Sequence, residues 1–412
     1  MRSKPRKILI VGSNYAPELT GIGKYTAEMA EFLAHSGWSV SVITAPPYYP
    51  DWQIRSGYRN WYNSKNICGV KVCRAPIWIP RSLSGFKRIL SSLSFATSFM
   101  LPMLSEITRR PSIVMVIEPP LLCAPFALLA AKVCRAKSIL HIQDYEVDAA
   151  FELGILSSPI LRSIAQTLEK ILVKNFDIVS TISNAMIEKL DKKGVEKDKQ
   201  VLFPNWVDTD SLKPNHDKNQ NIFSGMIPEN SKVLLYSGNM GEKQGLDIII
   251  EAAQALKHNS EIHFIMCGEG AVRKRLEQSA KDLNNITFLP LQPLEHFNDL
   301  LNLATIHLIP QKADVTELVM PSKLTGILAV GGIVLATAPE DSELARCVRE
   351  AGGFVAPPDS IEEFVELINQ IISETANLDE LRKKARAFAI SRLSKEAILR
   401  DFNLNLEKLL IK

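Results

Sequence analysis

The sequence predicts an α/β protein built of two doubly wound parallel sheets in series. Three observations carry that reading. Short apolar runs alternate with helical periods along the whole chain, the alternation pauses in a polar stretch after Phe203-Pro204-Asn205-Trp206, and it then restarts with the same rhythm. In order, Lys7–Val11, Ser39–Thr44, Ile113–Ile117, Ser138–Ile142 and Ile178–Ser180 read as strands of a first unit, with helices such as Ile160–Lys174 between them. After the pause, strands are read in "KVLLYSGNMG", "EIHFIMCGEG", "NITFLPLQP", residues 304–311 and "GGIVLATA", each closed by a glycine, proline or polar turn. The segment "LDIIIEAAQAL" sets Leu246, Ile249, Ile250, Ala253 and Leu256 on one helical face. At 412 residues the chain exceeds what one core usually holds, and we divide it into residues 1–205 and 206–393. Two such sheets are expected to face a central cleft with their strand carboxyl ends, where ligands of this architecture bind.

Composition narrows the class. The chain is 46% apolar and 23% charged, as in a soluble globular protein. Residues 1–200 carry 26 Lys/Arg against 16 Asp/Glu, and the remainder 22 against 29, so the first half is expected to meet an anionic partner. The basic residues are dispersed and no reader motif is present, which argues against nucleic acid. Six cysteines without a CxxC pair read as buried small hydrophobes in a reducing compartment. The opening "MRSKPRKILIVG" is a strand rather than a signal peptide. The two most apolar regions are broken by Glu118-Pro119-Pro120 and by Pro102, so neither reads as a membrane span. The expected location is the cytoplasm.

The motifs sit at strand ends. In "KILIVGSNYAPELTGIGKYTAEMAEFLAHSG" a strand is followed by a loop and a helix opening near Gly23. A dinucleotide fingerprint would place its glycines directly at the strand end. Here only Gly12 is there, while Gly21 and Gly23 come nine residues later, which argues against an NAD enzyme. Helix starts preceded by glycines remain ready anion sites, because free N–H groups and the dipole point outward. "YSGNMGEKQGLDIII" repeats the device with Gly238, Gly241, Gly245 and a cation, Lys243. "VMPSKLTGILAVGG" repeats it again. Pro321 suits a first turn, Ser322 and Lys323 add a hydroxyl and a cation, and the N–H groups of Lys323 and Leu324 are placed to receive phosphate. Glu317 upstream could hold sugar hydroxyls. Gly268 marks another turn at a strand end, and the main chain around Leu291, Gln292 and Leu294 could edge a nucleobase. Asp208-x-Asp210 reads as a turn, and no catalytic metal is expected.

Taken together, "NYAPELTGIGKYT", "VITAPPYYPDWQ", "LHIQDYEVDA", "FPNW", "YSGNMGEKQGL" and "MPSKLTGILAVGG" resemble the GT-B glycosyltransferases of family 4, and among them the colanic-acid and exopolysaccharide biosynthesis enzymes of the fucosyltransferase type. The resemblance runs from about residue 8 to residue 332. It implies two Rossmann-like domains, with a last helix at about 394–412 crossing back onto the first. It further implies a retaining transferase that takes a sugar from a GDP- or UDP-linked donor held by the second domain. The acceptor in the first domain would be a polyprenyl-diphosphate-linked saccharide. Lys243, His141 and Glu317 would be the catalytic group. Gly21, Gly23, Gly238, Asn239, Gln244, Gly268, Leu291, Gln292, Leu294, Pro321, Ser322, Lys323 and Leu324 would bind the donor, and Lys24, Tyr25 and Asp144 the acceptor. No cofactor or metal would be needed. The chain departs from the family at Asn239, where many members have arginine, and at Gln244, where lysine is common. Leu318 and Gly326 stand where paired glutamates are usual. A non-catalytic nucleotide-sugar-binding subunit is the alternative these departures suggest. The apolar and basic segment 81–110 is expected to lie on an anionic membrane surface, which would make the protein peripheral on the inner face of the plasma membrane.

Overall fold

The computed structural model describes residues 6–18, 21–81, 85–152, 158–215, 222–223, 225, 227–228, 231–312, 322–373 and 377–411. The chain divides into two compact units, Met1–Asn205 with Leu399–Lys412, and Trp206–Ile398.

The first unit holds strands β1 (Lys7–Val11), β2 (Ser39–Thr44), β3 (Asn63–Ile67), β4 (Val70–Arg74), β5 (Ile113–Glu118), β6 (Lys137–Ile142), β7 (Ile178–Thr181) and β8 (Gln200–Leu202). They form one sheet in the order β3-β4-β2-β1-β5-β6-β7-β8, parallel except for β3, which runs antiparallel to β4. The central strands are buried along almost their whole length, which is why they read as unbroken apolar runs rather than alternating ones. The β3–β4 hairpin was not expected from the sequence. β3 is a polar edge strand, and its turn residues Cys68 and Gly69 both take positive φ, the geometry a two-residue hairpin needs, without the usual Asn-Gly signature. Residues from Leu399 onward complete this unit. Phe402 stacks on Phe203 with ring centroids 3.9 Å apart, and Trp38 Nε1 donates to Asn403 Oδ1 at 2.7 Å.

The second unit is a wholly parallel sheet, β11-β10-β9-β12-β13-β14, built from β9 (Lys232–Ser237), β10 (Ile262–Cys267), β11 (Ile286–Leu289), β12 (Ile306–Ile309), β13 (Val334–Thr337) and β14 (Phe354–Ala356). Its core gathers Leu234, Tyr236, Ile249, Phe264, Met266 and Phe364, all fully buried. Strand order reverses between β1 and β5 in the first unit and between β9 and β12 in the second, so each sheet has one switch point at its carboxyl edge. Among the described residues no helix is long and apolar enough to cross a membrane.

Candidate functional site

In the first unit the chain leaves β1 through Gly12, Ser13 and Asn14. A Cβ at Gly12 would meet Ile117 of β5 at 3.1 Å, so glycine here lets the two central strands approach. The loop then turns Glu18 inward. This carboxylate is 6% exposed. Its Oε1 accepts from the backbone N–H groups of Tyr48 and Tyr49, at 3.1 Å each, and its Oε2 from Asn14 Nδ2 at 3.0 Å. Burial raises the Glu18 carboxyl pKa, while the three N–H donors hold it down. A Cβ at Gly23 would lie 2.6 Å from Glu18 Oε2, so Gly23 is glycine because the carboxylate lies against it. Gly21 is glycine because its φ is +63°.

β5 ends on Glu118, which is fully buried. Burial and the neighbouring carboxylate of Glu146 push its pKa well above the usual carboxylate range. Glu118 Oε1 accepts from the Glu146 N–H at 3.1 Å. Glu146 in turn accepts from Ser92 Oγ at 3.2 Å and from the Leu121 N–H at 2.7 Å. Above these groups opens a cavity of about 370 Å³ whose wall includes Gly21, Gly23, Tyr48, Trp52, Asp144 and Glu146. Trp52 has φ +52°, an uncommon conformation for a non-glycine residue. Its indole packs edge-on against Tyr48, and the Arg88 guanidinium stands 5.6 Å from its ring centroid. Aromatic faces beside carboxylates and small polar groups can hold a hydroxyl-rich ring. Lys24 and Tyr25 lie on the helix Gly21–His35 outside this lining, with the Lys24 ammonium 5.9 Å from the Tyr25 ring.

His141, on β6, is 2% exposed and does not line the cavity. Its Nδ1 lies 2.9 Å from Ser180 Oγ and its Nε2 3.0 Å from Gln143 Nε2. Because the amide nitrogen can only donate, Nε2 accepts and Nδ1–H donates. Gln143 is locked to Asn205 by reciprocal amide bonds of 2.9 and 3.0 Å. Burial pushes the His141 pKa down to about 3 from the ordinary 6.5. The folded protein therefore binds fewer protons than the unfolded chain between those values. The stability His141 contributes is full above the unfolded pKa and is lost as pH falls toward 3. In an NMR titration its ring signals are expected to stay constant between about pH 5 and 8; a midpoint near 6.5 would contradict this placement.

In the second unit the carboxyl edge is built from stacked glycine turns. Gly238, Gly268 and Gly270 have φ of +149°, +144° and +156°. A Cβ at Gly268 would overlap Gly238 O at 1.9 Å. The loops are tied by Gly238 N–H to Cys267 O, 2.9 Å, and Met240 N–H to Glu269 O, 2.8 Å. Gly268 thus supports the Gly238 loop directly. Tyr236, at the end of β9, donates its hydroxyl to Asn239 O at 2.6 Å and accepts from Lys323 Nζ at 3.3 Å. The Lys323 ammonium also stands 4.4 Å from the Tyr236 ring centroid. Lys323 is the second residue of the helix Ser322–Ala329, so a cation, a helix amino end and a glycine loop converge beside the switch point.

The remaining sequence-derived candidates are placed as follows. Gln244 Oε1 accepts from the Gly241 N–H at 3.1 Å and so caps its own loop. Leu324 is fully buried, so only its main chain could meet a ligand. Leu291 and Leu294 are exposed, and Gln292 donates to Pro290 O at 2.8 Å. The backbone of Lys243 forms the 3₁₀ turn Glu242–Gln244. The side chains of Lys243 and Ser322, and all of Glu317 and Pro321, lie outside the described residues. Asp208 accepts from the N–H groups of Asp210 and Ser211, the turn expected of it. Among the described residues no three His, Cys, Asp or Glu side chains form a group able to hold a metal ion. Sequence reasoning did not single out Glu18, Glu146 and Tyr236, although each lies within a quoted motif, and it read Glu118 only as a break in an apolar run. A separate cavity of about 460 Å³ lies at the amino ends of β12 and β13, beside His307, Gly332 and Arg386. The Arg386 guanidinium there is consumed by the carbonyls of Thr209, Leu212 and Ala329.

Two doubly wound units, each with a switch point at its carboxyl edge, are the architecture of the GT-B glycosyltransferases. Residues 20–206 match the model of the "Glycosyl transferase 4-like domain", and residues 217–389 that of "Glycosyl transferases group 1". The chain is 40% identical over 405 residues to WcaI of Escherichia coli (strain K12), whose name describes a glycosyl transferase of colanic acid biosynthesis; the match covers 96% of this chain and 98% of the relative. This chain belongs to the glycosyltransferase family those models describe. Solved structures agree in fold. Sucrose-phosphate synthase from Thermosynechococcus elongatus superposes with a TM-score of 0.71 at 16% identity, covering 98% of this chain and 99% of that one. Anabaena HepE in complex with UDP-glucose gives 0.64 at 16% identity, covering 98% and 99%.

Proposed function

We propose that this glycosyltransferase moves a hexosyl or deoxyhexosyl group from a GDP- or UDP-linked sugar to a polyprenyl-diphosphate-linked saccharide during exopolysaccharide synthesis of the colanic-acid type, with retention of configuration and without a metal. The reaction breaks the anomeric C–O bond to the diphosphate and forms a C–O bond to an acceptor hydroxyl. The departing phosphate takes the hydroxyl proton. Negative charge grows on the leaving oxygens, and fixed donors aimed at it are the strongest lever a protein has. The observation that carries the proposal is the Lys323 ammonium held by Tyr236 beside the Gly238 loop at a helix amino end. Lys243, the amides of Lys323 and Leu324, Asn239 and Gln244 complete the donor side in this reading, with the main chain near Leu291 along the base. The cavity lined by Tyr48, Trp52, Asp144 and Glu146 takes the acceptor saccharide, with Lys24 and Tyr25 at its approach, while Gly21 and Gly23 of the same wall let the main chain meet the donor diphosphate. His141 acts as a positioning residue through Gln143. The likeness to WcaI and the UDP-glucose bound by HepE support the donor and pathway class. The acceptor's lipid would place the protein on the inner face of the membrane.

Thermal unfolding with GDP, UDP, ADP and dTDP, each with and without Mg²⁺, tests the reading. One of the first two at roughly 100 times its dissociation constant is expected to add about 2.7 kcal/mol of stability, with or without metal. No shift with any nucleotide, or a shift only with Mg²⁺, would overturn it.

A further inference from the structure

The helix Pro159–Lys174 carries an uncovered apolar stripe. Ile160, Leu161, Ile164, Leu168 and Ile171 recur at helical spacing, and each is between 51 and 72% exposed. The opposite side of the same helix is anchored by Glu169 and Val173, both buried. Isolated exposed leucines need no explanation, but a stripe of five on one helix does.

The stripe has company. β5, β6 and β7 follow one another in one direction across the sheet, so right-handed crossovers put their connecting helices on one face. The helix Ala124–Cys134 lies there with Leu129 and Val133 uncovered, and the helix Met100–Thr108, which packs against it, adds Leu101 and Leu104. These four are 58 to 64% exposed. The charges on the same helices are one-sided. Glu106 is buried against Lys71 and Arg109, and Glu169 against Lys193. Every charged side chain left exposed on the three helices and their carboxyl-terminal caps is a cation: Arg109, Lys132, Arg135, Arg162, Lys170 and Lys174.

We propose that this face, centred on the helix Pro159–Lys174, docks on an anionic lipid bilayer, with the aliphatic stripe entering the headgroup boundary and the flanking cations meeting acidic headgroups. A second copy of the chain is the poorer occupant. A two-fold contact centred on the stripe would set the same cations against one another, with no exposed carboxylate on these three helices to answer them; the nearest exposed acids on this face, Glu188 and Asp191, belong to the next helix, Asn184–Lys193. Of the segment 81–110 expected to meet the membrane, the proposal keeps Leu101, Leu104 and Arg109 but not Arg88, which stands over Trp52 in the cavity beside Tyr48. It does not depend on the reaction proposed above.

The test uses the full chain and sedimentation with vesicles of phosphatidylcholine, with and without phosphatidylglycerol. Wild type is expected to sediment with the acidic vesicles, less so as salt rises, and to stay in solution with the neutral ones. Ile164→Glu combined with Leu168→Glu is expected to lower binding at least about tenfold while leaving the unfolding midpoint and any nucleotide-induced shift unchanged. Lys170→Ala with Lys174→Ala should flatten the salt dependence. The proposal is overturned if wild type ignores acidic vesicles, or if the glutamate variant binds them like wild type. It is also overturned if sedimentation velocity shows a dimer that the same variant abolishes, which would give the face to a second copy. Vesicle binding lost in the variant, with no nucleotide shift in either protein, would leave this surface standing and remove the proposed donor.

Discussion

Replacing Lys323 by alanine is expected to lower kcat for glycosyl transfer by about 10²–10³-fold, the usual effect of removing one fixed donor from a developing anion. Its ammonium is anchored by the Tyr236 hydroxyl at 3.3 Å and by the ring face beneath it. It is therefore already oriented before any charge appears, and little reorganisation is left for the reaction step. Gly238 is required by its φ of +149° rather than by space, since a Cβ there would meet Lys323 Nζ at an ordinary contact distance of 3.6 Å. The fold should tolerate the change, because Tyr236 keeps its bond to Asn239 O. Steady-state kinetics separate two meanings. A fall in kcat marks stabilisation of the leaving diphosphate, while a rise in KM alone would mean that Lys323 only binds the donor. Unchanged kinetics would remove Lys323 from the site.

Gly268→Ala should have the largest effect on the second unit. The new methyl would overlap a backbone oxygen, and the residue would be held at φ +144°. Neither conflict is relieved by rotating a side chain. The cost is expected to reach about 3–5 kcal/mol, or else the Gly238 loop moves aside and nucleotide binding is lost. For a unit of this size that corresponds to a midpoint roughly 6–20 °C lower. Gly37→Ala is the control. It also has positive φ but open space around its Cβ, so only the backbone strain of about 1–2 kcal/mol should be felt. Equal effects of the two substitutions would mean that the stacked turns are not rigid.

The sheets were legible because buried parallel strands are continuous apolar runs. β1 and β2 have the ends read from the sequence. β3 was not, since an edge strand of Asn-Ser-Lys-Asn-Ile has no apolar face to show. β8 and β14 are three residues each, too short for any period to register. At the candidate site, the glycines and Lys323 could be picked out from the sequence because each belongs to a single local motif at one strand end. Glu18 was not, because what makes it notable is its bond to Tyr48, 30 residues away. Tyr236 and Lys323 are 87 apart. Gly23 was noticed for an incomplete reason: the sequence suggested room for an anion to approach, and the structure shows a carboxylate of the same chain pressed against it.

The discontinuity of the first unit has a consequence for how it is made. Trp38 and Phe203 find Asn403 and Phe402 as partners, so the first unit is finished by residues translated after the whole second unit. A ribosome adding about 5–20 residues per second needs roughly 10–40 s to travel from the end of β8 to that helix. Throughout that interval the nascent unit shows an aromatic surface awaiting its cover. Trigger-factor-like holdases, or slow passage of this stretch of message, therefore bear on the yield of active protein through the first unit, even though the second is the one being synthesised at the time.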